Sequence, residues 1–203
     1  DLCGGADRRF CEPAAAPGFA GSEPEKMKAY IKQTGASISS LPPAYYRQSG
    51  VQFDKLVVTA GSASSKDIVE KAIQKGVYLN SYGPTEVTVC ATDWKCEKGD
   101  SIPDVIPIGR PVTNQQVVIK KDGKLCGYYV PGEICVGGKG VARGYLNQPE
   151  LTDEKFVIDS NVMSRVYHTG DLGRWLPDGN IEYLGRNDEQ VKIRGYRIEI
   201  QEI

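Results

Sequence analysis

A single histidine, His168, stands in this 203-residue chain, and none of its six cysteines (Cys3, Cys11, Cys90, Cys96, Cys126 and Cys135) forms a C-x-x-C pair. No cysteine lies near His168 in sequence, so zinc and redox motifs have no support in the spacing. A long basic run is also lacking. The 25 basic and 26 acidic residues are interspersed and leave a net charge of −1, which excludes the electrostatic footprint of a nucleic-acid binder. No apolar stretch approaches the length that spans a bilayer, no signal-peptide pattern opens the chain, and there is no internal repeat or low-complexity tract. Cys90 and Cys135 sit in apolar, strand-like runs and are expected to pack as small hydrophobes, reduced in a cytoplasmic setting. The opening Asp1-Leu2-Cys3 is not a natural initiator, so the expectation is an excised or partial chain.

What remains is a length that can bury a good core as one large domain or two small ones. Residues 1–22 are rich in Ala, Gly, Pro and Arg without a sustained period and read as an irregular or divergent segment. Residues 23–100 have an α/β texture. Pro24 to Thr34 reads as a helix ended by Gly35. Ala36 to Leu41 reads as a strand stopped by Pro42-Pro43, and Lys55 to Thr59 as a buried strand. Ser65 to Gln74 reads as a helix capped by its serine, with Ile68, Val69, Ala72 and Ile73 on one face. Val77 to Asn80 is the next strand, and strand–helix–strand at this spacing implies a right-handed parallel crossover. Residues 101–187 change to strands and turns, with Val117 to Lys120 and Glu133 to Val136 as strands. Lys121-Asp122-Gly123-Lys124 and Trp175 to Ile181 mark hairpins, so an antiparallel, barrel-like sheet is expected beside the α/β part. Residues 188–203 begin a further small unit with a charged, alternating strand pair.

The densest signal is Leu79-Asn80-Ser81-Tyr82-Gly83-Pro84-Thr85-Glu86. It joins an apolar strand end, a Gly-Pro turn, a hydroxyl and a carboxylate. Loops at the carboxyl ends of strands are where open α/β sheets bind ligands, and here Ala60-Gly61 and Ser81-Tyr82 would line one crevice. Thr85 can hold a phosphate oxygen and Glu86 a hard cation such as Mg²⁺. Two more segments follow in order: Gly132-Glu133-Ile134-Cys135-Val136-Gly137-Gly138 through Ala142-Arg143-Gly144-Tyr145-Leu146, and Tyr167-His168-Thr169-Gly170-Asp171-Leu172 through Gly185-Arg186-Asn187-Asp188 and Gln190-Val191-Lys192-Ile193-Arg194-Gly195. Together, over roughly Ile38 to Ile203, they resemble the adenylation domains of nonribosomal peptide synthetases, within the adenylate-forming superfamily.

That resemblance implies an amino acid activated with ATP and Mg²⁺ and passed to a phosphopantetheine thiol on a peptidyl carrier domain, with neighbouring synthetase domains as further partners. It makes Glu86 the Mg²⁺ ligand and gives Thr85 a phosphate. It places Gly61, Asn80, Ser81 and Tyr82 along the nucleotide, the last by stacking on adenine. Asp171 would accept both ribose hydroxyls, since a carboxylate offers two acceptor oxygens. Tyr183 would flank the nucleotide, and Arg186 would reach ribose and phosphates with its planar fork. Asp188 resembles the hinge between large and small subdomains, and Lys192 belongs to a face used in one of their two orientations. Arg143 and Gly144 fall in a largely structural signature. His168, where the family commonly has Arg or Lys, reads as a solvated residue without a catalytic role.

Ser40, Val58, Ala60, Ser81, Val89 and Cys90 are the corresponding substrate-pocket positions. None is charged, so a charged substrate side chain would be buried unpaired, and a bulky aromatic amino acid such as phenylalanine or tryptophan is expected. The family's phosphate loop, its substrate-amine aspartate and its adenylate-contacting lysine have no counterpart here, which predicts weak catalysis by this chain alone. The proline third in Tyr82-Gly83-Pro84-Thr85-Glu86 favours the amino-acid branch over acyl-CoA or aryl-acid ligases. A non-catalytic nucleotide-binding remnant is the other alternative.

Overall fold

The computed structural model describes residues 24–187, 191–193 and 196–198. They fall into two compact units: one reaches to Leu79 and takes in Lys95–Asp104, and the other holds Asn80–Trp94 and the chain from Val105 onward. Among the described residues, no helix is long and apolar enough to cross a membrane.

The first unit contains α1 (Pro24–Thr34), β1 (Ile38–Leu41), α2 (Pro43–Ser49), β2 (Leu56–Thr59), α3 (Lys66–Ala72) and the first half of β3 (Val77–Tyr82). Gly35 ends α1 as expected, with φ +66° and its N–H on the Ile31 carbonyl at 2.8 Å. Pro42-Pro43 does more than stop a strand. Pro43 opens α2 at the first helical position, where a missing N–H costs nothing. Ser65 stands at the N-cap of α3, but its side chain makes no capping bond to the helix backbone. Its hydroxyl instead donates to Asp67 Oδ1 at 2.7 Å. β1 and β2 are parallel, with Ser40 opposite Val58. Ile68, Val69 and Ala72 are buried on α3, and Val57 and Tyr78 are fully buried, so the 3.6-residue and two-residue periods both resolve into core faces.

The second unit takes the other half of β3, a 3₁₀ turn at Thr85–Val87 and most of β4 (Thr92–Cys96), which pairs antiparallel with β5 (Arg110–Pro111). In the first sheet the strands follow the order β1-β2-β3-β4-β5. A second, antiparallel sheet contains β6 (Gln115–Lys121), β7 (Lys124–Leu125), β8 (Gly132–Gly138), β9 (Phe156–Asp159), β10 (Ser164–Trp175) and β11 (Ile181–Arg186), in the order β11-β10-β8-β6-β7 with β9 on β10. The short helix α4 (Pro149–Lys155) precedes β9. Both predicted hairpins are present; Asp122 and Gly123 turn at φ +50° and +75°, the left-handed pair that a two-residue hairpin requires. Val117, Ile119, Ile134, Val136, Tyr167 and Ile181 alternate along their strands into one buried cluster with Val87 and Ala91, each such side chain stabilising by roughly 1.5–3 kcal/mol. β12 (Val191–Ile193) and β13 (Tyr196–Ile198) form the expected antiparallel pair. Asp188 lies outside the described residues, and Lys192 is described only as a backbone position of β12.

Candidate functional site

Strand β3 runs two residues past the predicted end, so Ser81 and Tyr82 are strand residues. The turn after it is close-packed. A side chain on Gly83 would come within 2.6 Å of the Val89 carbonyl and 2.7 Å of the Ala91 nitrogen, so only glycine fits. Ala91 N–H returns to the Tyr82 carbonyl at 2.7 Å and closes the loop.

Asp171 lies inside β10, on an irregularity of that strand. His168 pairs with Cys135 and Leu172 with Glu133, so three β10 residues, Thr169 to Asp171, face one β8 residue. Gly170 takes φ +71° there, a conformation glycine adopts without steric cost. Thr169 secures the bulge, its hydroxyl donating to the Ile134 carbonyl at 2.7 Å and accepting the Asp171 N–H at 3.0 Å. Such bulges re-aim a side chain, and the one re-aimed here is a carboxylate only 2% exposed.

Three donors meet it. Tyr82 Oη donates to Asp171 Oδ2 at 2.6 Å. Arg186 Nη1 donates to Oδ1 at 2.8 Å, and Tyr183 Oη to the same oxygen at 3.3 Å. Arg186 is the ladder partner of Asp171. Tyr183 and Arg186 are three residues apart and would point to opposite faces of a regular strand. The register between β10 and β11 slips by one at Leu184, and that extra residue brings both side chains to Asp171. Burial and the Asp171 charge push the Tyr82 phenol well above its ordinary pKa, so it stays a proton donor. The rings of Tyr82 and Tyr183 lie 6.1 Å apart.

The second carboxylate, Glu86, is 7% exposed. It sits in the 3₁₀ turn four residues after Tyr82. Tyr145 Oη donates to Glu86 Oε1 at 2.9 Å and lies 3.3 Å from Tyr167 Oη of β10. The Glu86 carbonyl accepts the Ala142 N–H at 2.8 Å. Arg165 fixes that loop, donating to the carbonyls of Ala142 and Arg143 at 2.7 and 3.0 Å. Tyr82, at the end of β3, thus reaches β10 directly, and Glu86, in the turn that follows, is linked to it through Tyr145. Sequence reading passed over Tyr145, Arg165 and Tyr167, because neither spacing nor charge distinguishes them from packing residues.

Other predicted positions fall elsewhere. Asn80 is buried and its amide donates to the Pro107 carbonyl at 2.8 Å. Thr85 is exposed at the start of the 3₁₀ turn. Gly61 is exposed at φ +87°. The six pocket candidates divide between the units. In the first, Ser40 is exposed, and Val58 and Ala60 are half-buried. In the second, Ser81 is buried with its hydroxyl on Asp93 Oδ1 at 2.5 Å. Val89 is 64% exposed. Cys90 is half-buried in the loop, outside any strand, and burial raises its thiol pKa, with Asp93 adding to the effect. Cys135 packs in β8 as expected. His168 is only 29% exposed at its side chain, with Nδ1 2.9 Å from Glu133 Oε2, so the solvated reading is corrected.

A family model described as AMP-binding enzyme matches residues 14–146. Gramicidin S synthase 1 of Brevibacillus brevis is 45% identical over 187 residues, covering 88% of this chain and 17% of the relative. Tyrocidine synthase 2 of Brevibacillus parabrevis is 46% identical, covering 88% of this chain and 5% of that protein. The chain therefore spans a small part of these relatives. Among solved structures, a nonribosomal peptide synthetase protein containing adenylation and PCP domains aligns with TM-score 0.79 and 28% identity, over 88% of this chain and 39% of the other. The chain belongs to the AMP-binding enzyme family, and its likeness within that family is to the adenylation domains of nonribosomal peptide synthetases.

Proposed function

We propose that this chain forms part of an amino-acid-activating site that consumes ATP with Mg²⁺ and serves a phosphopantetheine-bearing carrier domain. The observation that supports it most is the convergence of Tyr82, Tyr183 and Arg186 on one buried carboxylate, Asp171. Asp171 would hold the nucleotide sugar. Arg186 would release the carboxylate and turn its fork toward phosphate oxygens, which it suits by geometry. Tyr82 keeps one carboxylate oxygen in place throughout, and Tyr183 closes the side of the sugar.

Glu86 has the donor chemistry for a hard divalent cation, a carboxylate steadied on one oxygen by Tyr145. When bound, Mg²⁺ would neutralise charge on phosphate oxygens. Thr85, exposed on the same turn, would contribute a hydroxyl to phosphate. The lack of charge at Ser40, Val58, Ala60, Ser81, Val89 and Cys90 supports an amino acid with a bulky aromatic side chain as the substrate.

ATP–pyrophosphate exchange by the full-length parent protein across a panel of amino acids, with exchange by this chain and calorimetry for ATP on it in parallel, tests the reading. Exchange with phenylalanine or tryptophan ahead of small or charged amino acids is the expected result. Activation of fatty or aryl acids in their place would move the assignment to another adenylate-forming class. ATP binding without any exchange would make the chain a nucleotide-binding remnant.

A further inference from the structure

Glu133 and Cys135 lie on one face of β8, and the ladder sets His168 of β10 directly opposite Cys135. The three donor atoms all fall within 4.8 Å of one another, and this cluster lies on the opposite face of the sheet from the apolar core, because Ile134 and Val136 point into that core. We propose that Glu133, Cys135 and His168 form a Zn²⁺ site that clamps β8 to β10 next to the Asp171 bulge.

The thiol–imidazole separation fits the ion. A tetrahedral zinc with bonds of about 2.3 Å to sulfur and 2.0–2.1 Å to nitrogen sets those two atoms about 3.6 Å apart. Cys135 Sγ and His168 Nδ1 are 3.6 Å apart. His168 Nδ1 and Glu133 Oε2 are 2.9 Å apart, and a small opening of that pair would admit the ion. Thiolate, imidazole and carboxylate together select zinc among the common divalent cations. Glu133 is pre-oriented, since its other oxygen accepts the Gly170 N–H at 2.9 Å, the kind of support that tunes metal ligands. The site has a floor and an entrance: Cys135 is fully buried, while Glu133 and His168 are 27% and 29% exposed at their side chains. Lys120, the ladder partner of Glu133, is held in an ion pair by buried Asp159, which offsets its charge beside the site. Coordination replaces the S–H bond of Cys135 with an S–Zn bond, and the proton leaves to solvent. Three protein ligands leave one position open to water or a small anion.

The test uses the full chain stripped with chelator and titrated with Zn²⁺ and with Co²⁺. One equivalent of Co²⁺ is expected to give a thiolate-to-cobalt charge-transfer band, and Zn²⁺ to raise the thermal midpoint. Cys135→Ser should abolish the band. His168→Arg retains a partner for Glu133 and should weaken binding by more than the roughly 10–100-fold that loss of a supporting contact to a metal ligand costs. No band and no midpoint shift in the native chain would overturn the site. So would a band of equal strength in both variants, which would place the metal on another thiol. Should Cys135→Ser fail to fold, His168→Arg alone decides between these outcomes.

Discussion

Asp171 has almost no water around it, so the chain itself must balance its charge. Arg186 does so as a nearly buried partner, 12% exposed at its side chain, and removing one member of such a pair costs about 3–5 kcal/mol. Tyr82→Phe is the milder probe. It deletes one donor and leaves the pair, and should lower stability by about 1–3 kcal/mol, read from urea unfolding. The same substitution should weaken ATP binding by calorimetry; unchanged affinity would detach Tyr82 from the nucleotide. Asp159 gives a separate expectation for acid. The Lys120 hydrogen bond, with the Asn161 backbone, lowers its pKa from 3.8 to about 2 against the opposing effect of burial. A carboxyl with a depressed folded pKa stabilises above its unfolded pKa and loses that contribution as pH falls. Stability should therefore fall between about pH 4 and 2, and Asp159→Asn should flatten that limb by on the order of 1–2 kcal/mol.

Strands β10 and β11 illustrate how much a motif leaves unsaid. The Thr169-Gly170-Asp171 run stood out as a candidate, and the two hairpins, at residues 121–124 and between β10 and β11, were legible as turns, because Asp-Gly and Pro-Asp-Gly carry their backbone geometry in the residue types. That Thr169 to Asp171 is a bulge, or that Leu184 is a surplus residue in β11, could not be read. Bulges depend on pairing across strands, which one-dimensional spacing does not contain. The same gap hid the Glu133, Cys135 and His168 cluster, because His168 is 33 residues from Cys135 in sequence and meets it only on the ladder. α2 was missed because Pro42-Pro43 signals a break, and only the chain before it shows that the break opens a helix. Leu184 makes the point testable. It is 39% exposed, so deleting it removes little core. The deletion restores a two-residue period and turns either Tyr183 or Arg186 away from Asp171. The variant should bind ATP at least about tenfold more weakly, a loss of roughly 1.4 kcal/mol, and its thermal midpoint should stay within a few degrees where Tyr183 is the side chain turned away and fall well below that where Arg186 is. Native affinity would mean that the slip is incidental.

Across the whole molecule, the chain passes between the two units at Leu79/Asn80, Trp94/Lys95 and Asp104/Val105. Between its α/β and strand-rich segments the sequence reading drew its boundary after residue 100, from the change in texture between crossover and hairpins. Composition tracks element type, whereas the units follow which residues share a core. Tyr82, Val87 and Ala91 belong to the buried cluster of the second unit although they precede that line. A fragment of residues 105–203 therefore lacks part of its own core. It should unfold without a cooperative transition and bind a hydrophobic dye, while the full chain melts cooperatively; a sharp transition for the fragment would make residues 80–94 dispensable. One last consequence belongs to Arg186. On the proposed reading, Asp171 comes with a tenant, and a sugar must evict it. An uncharged nucleoside offers the displaced guanidinium nothing, whereas a triphosphate rehouses it on its own oxygens. Arg186→Ala should thus tighten adenosine and loosen ATP, which makes a preference for phosphorylated visitors a property of the carboxylate's own lodger.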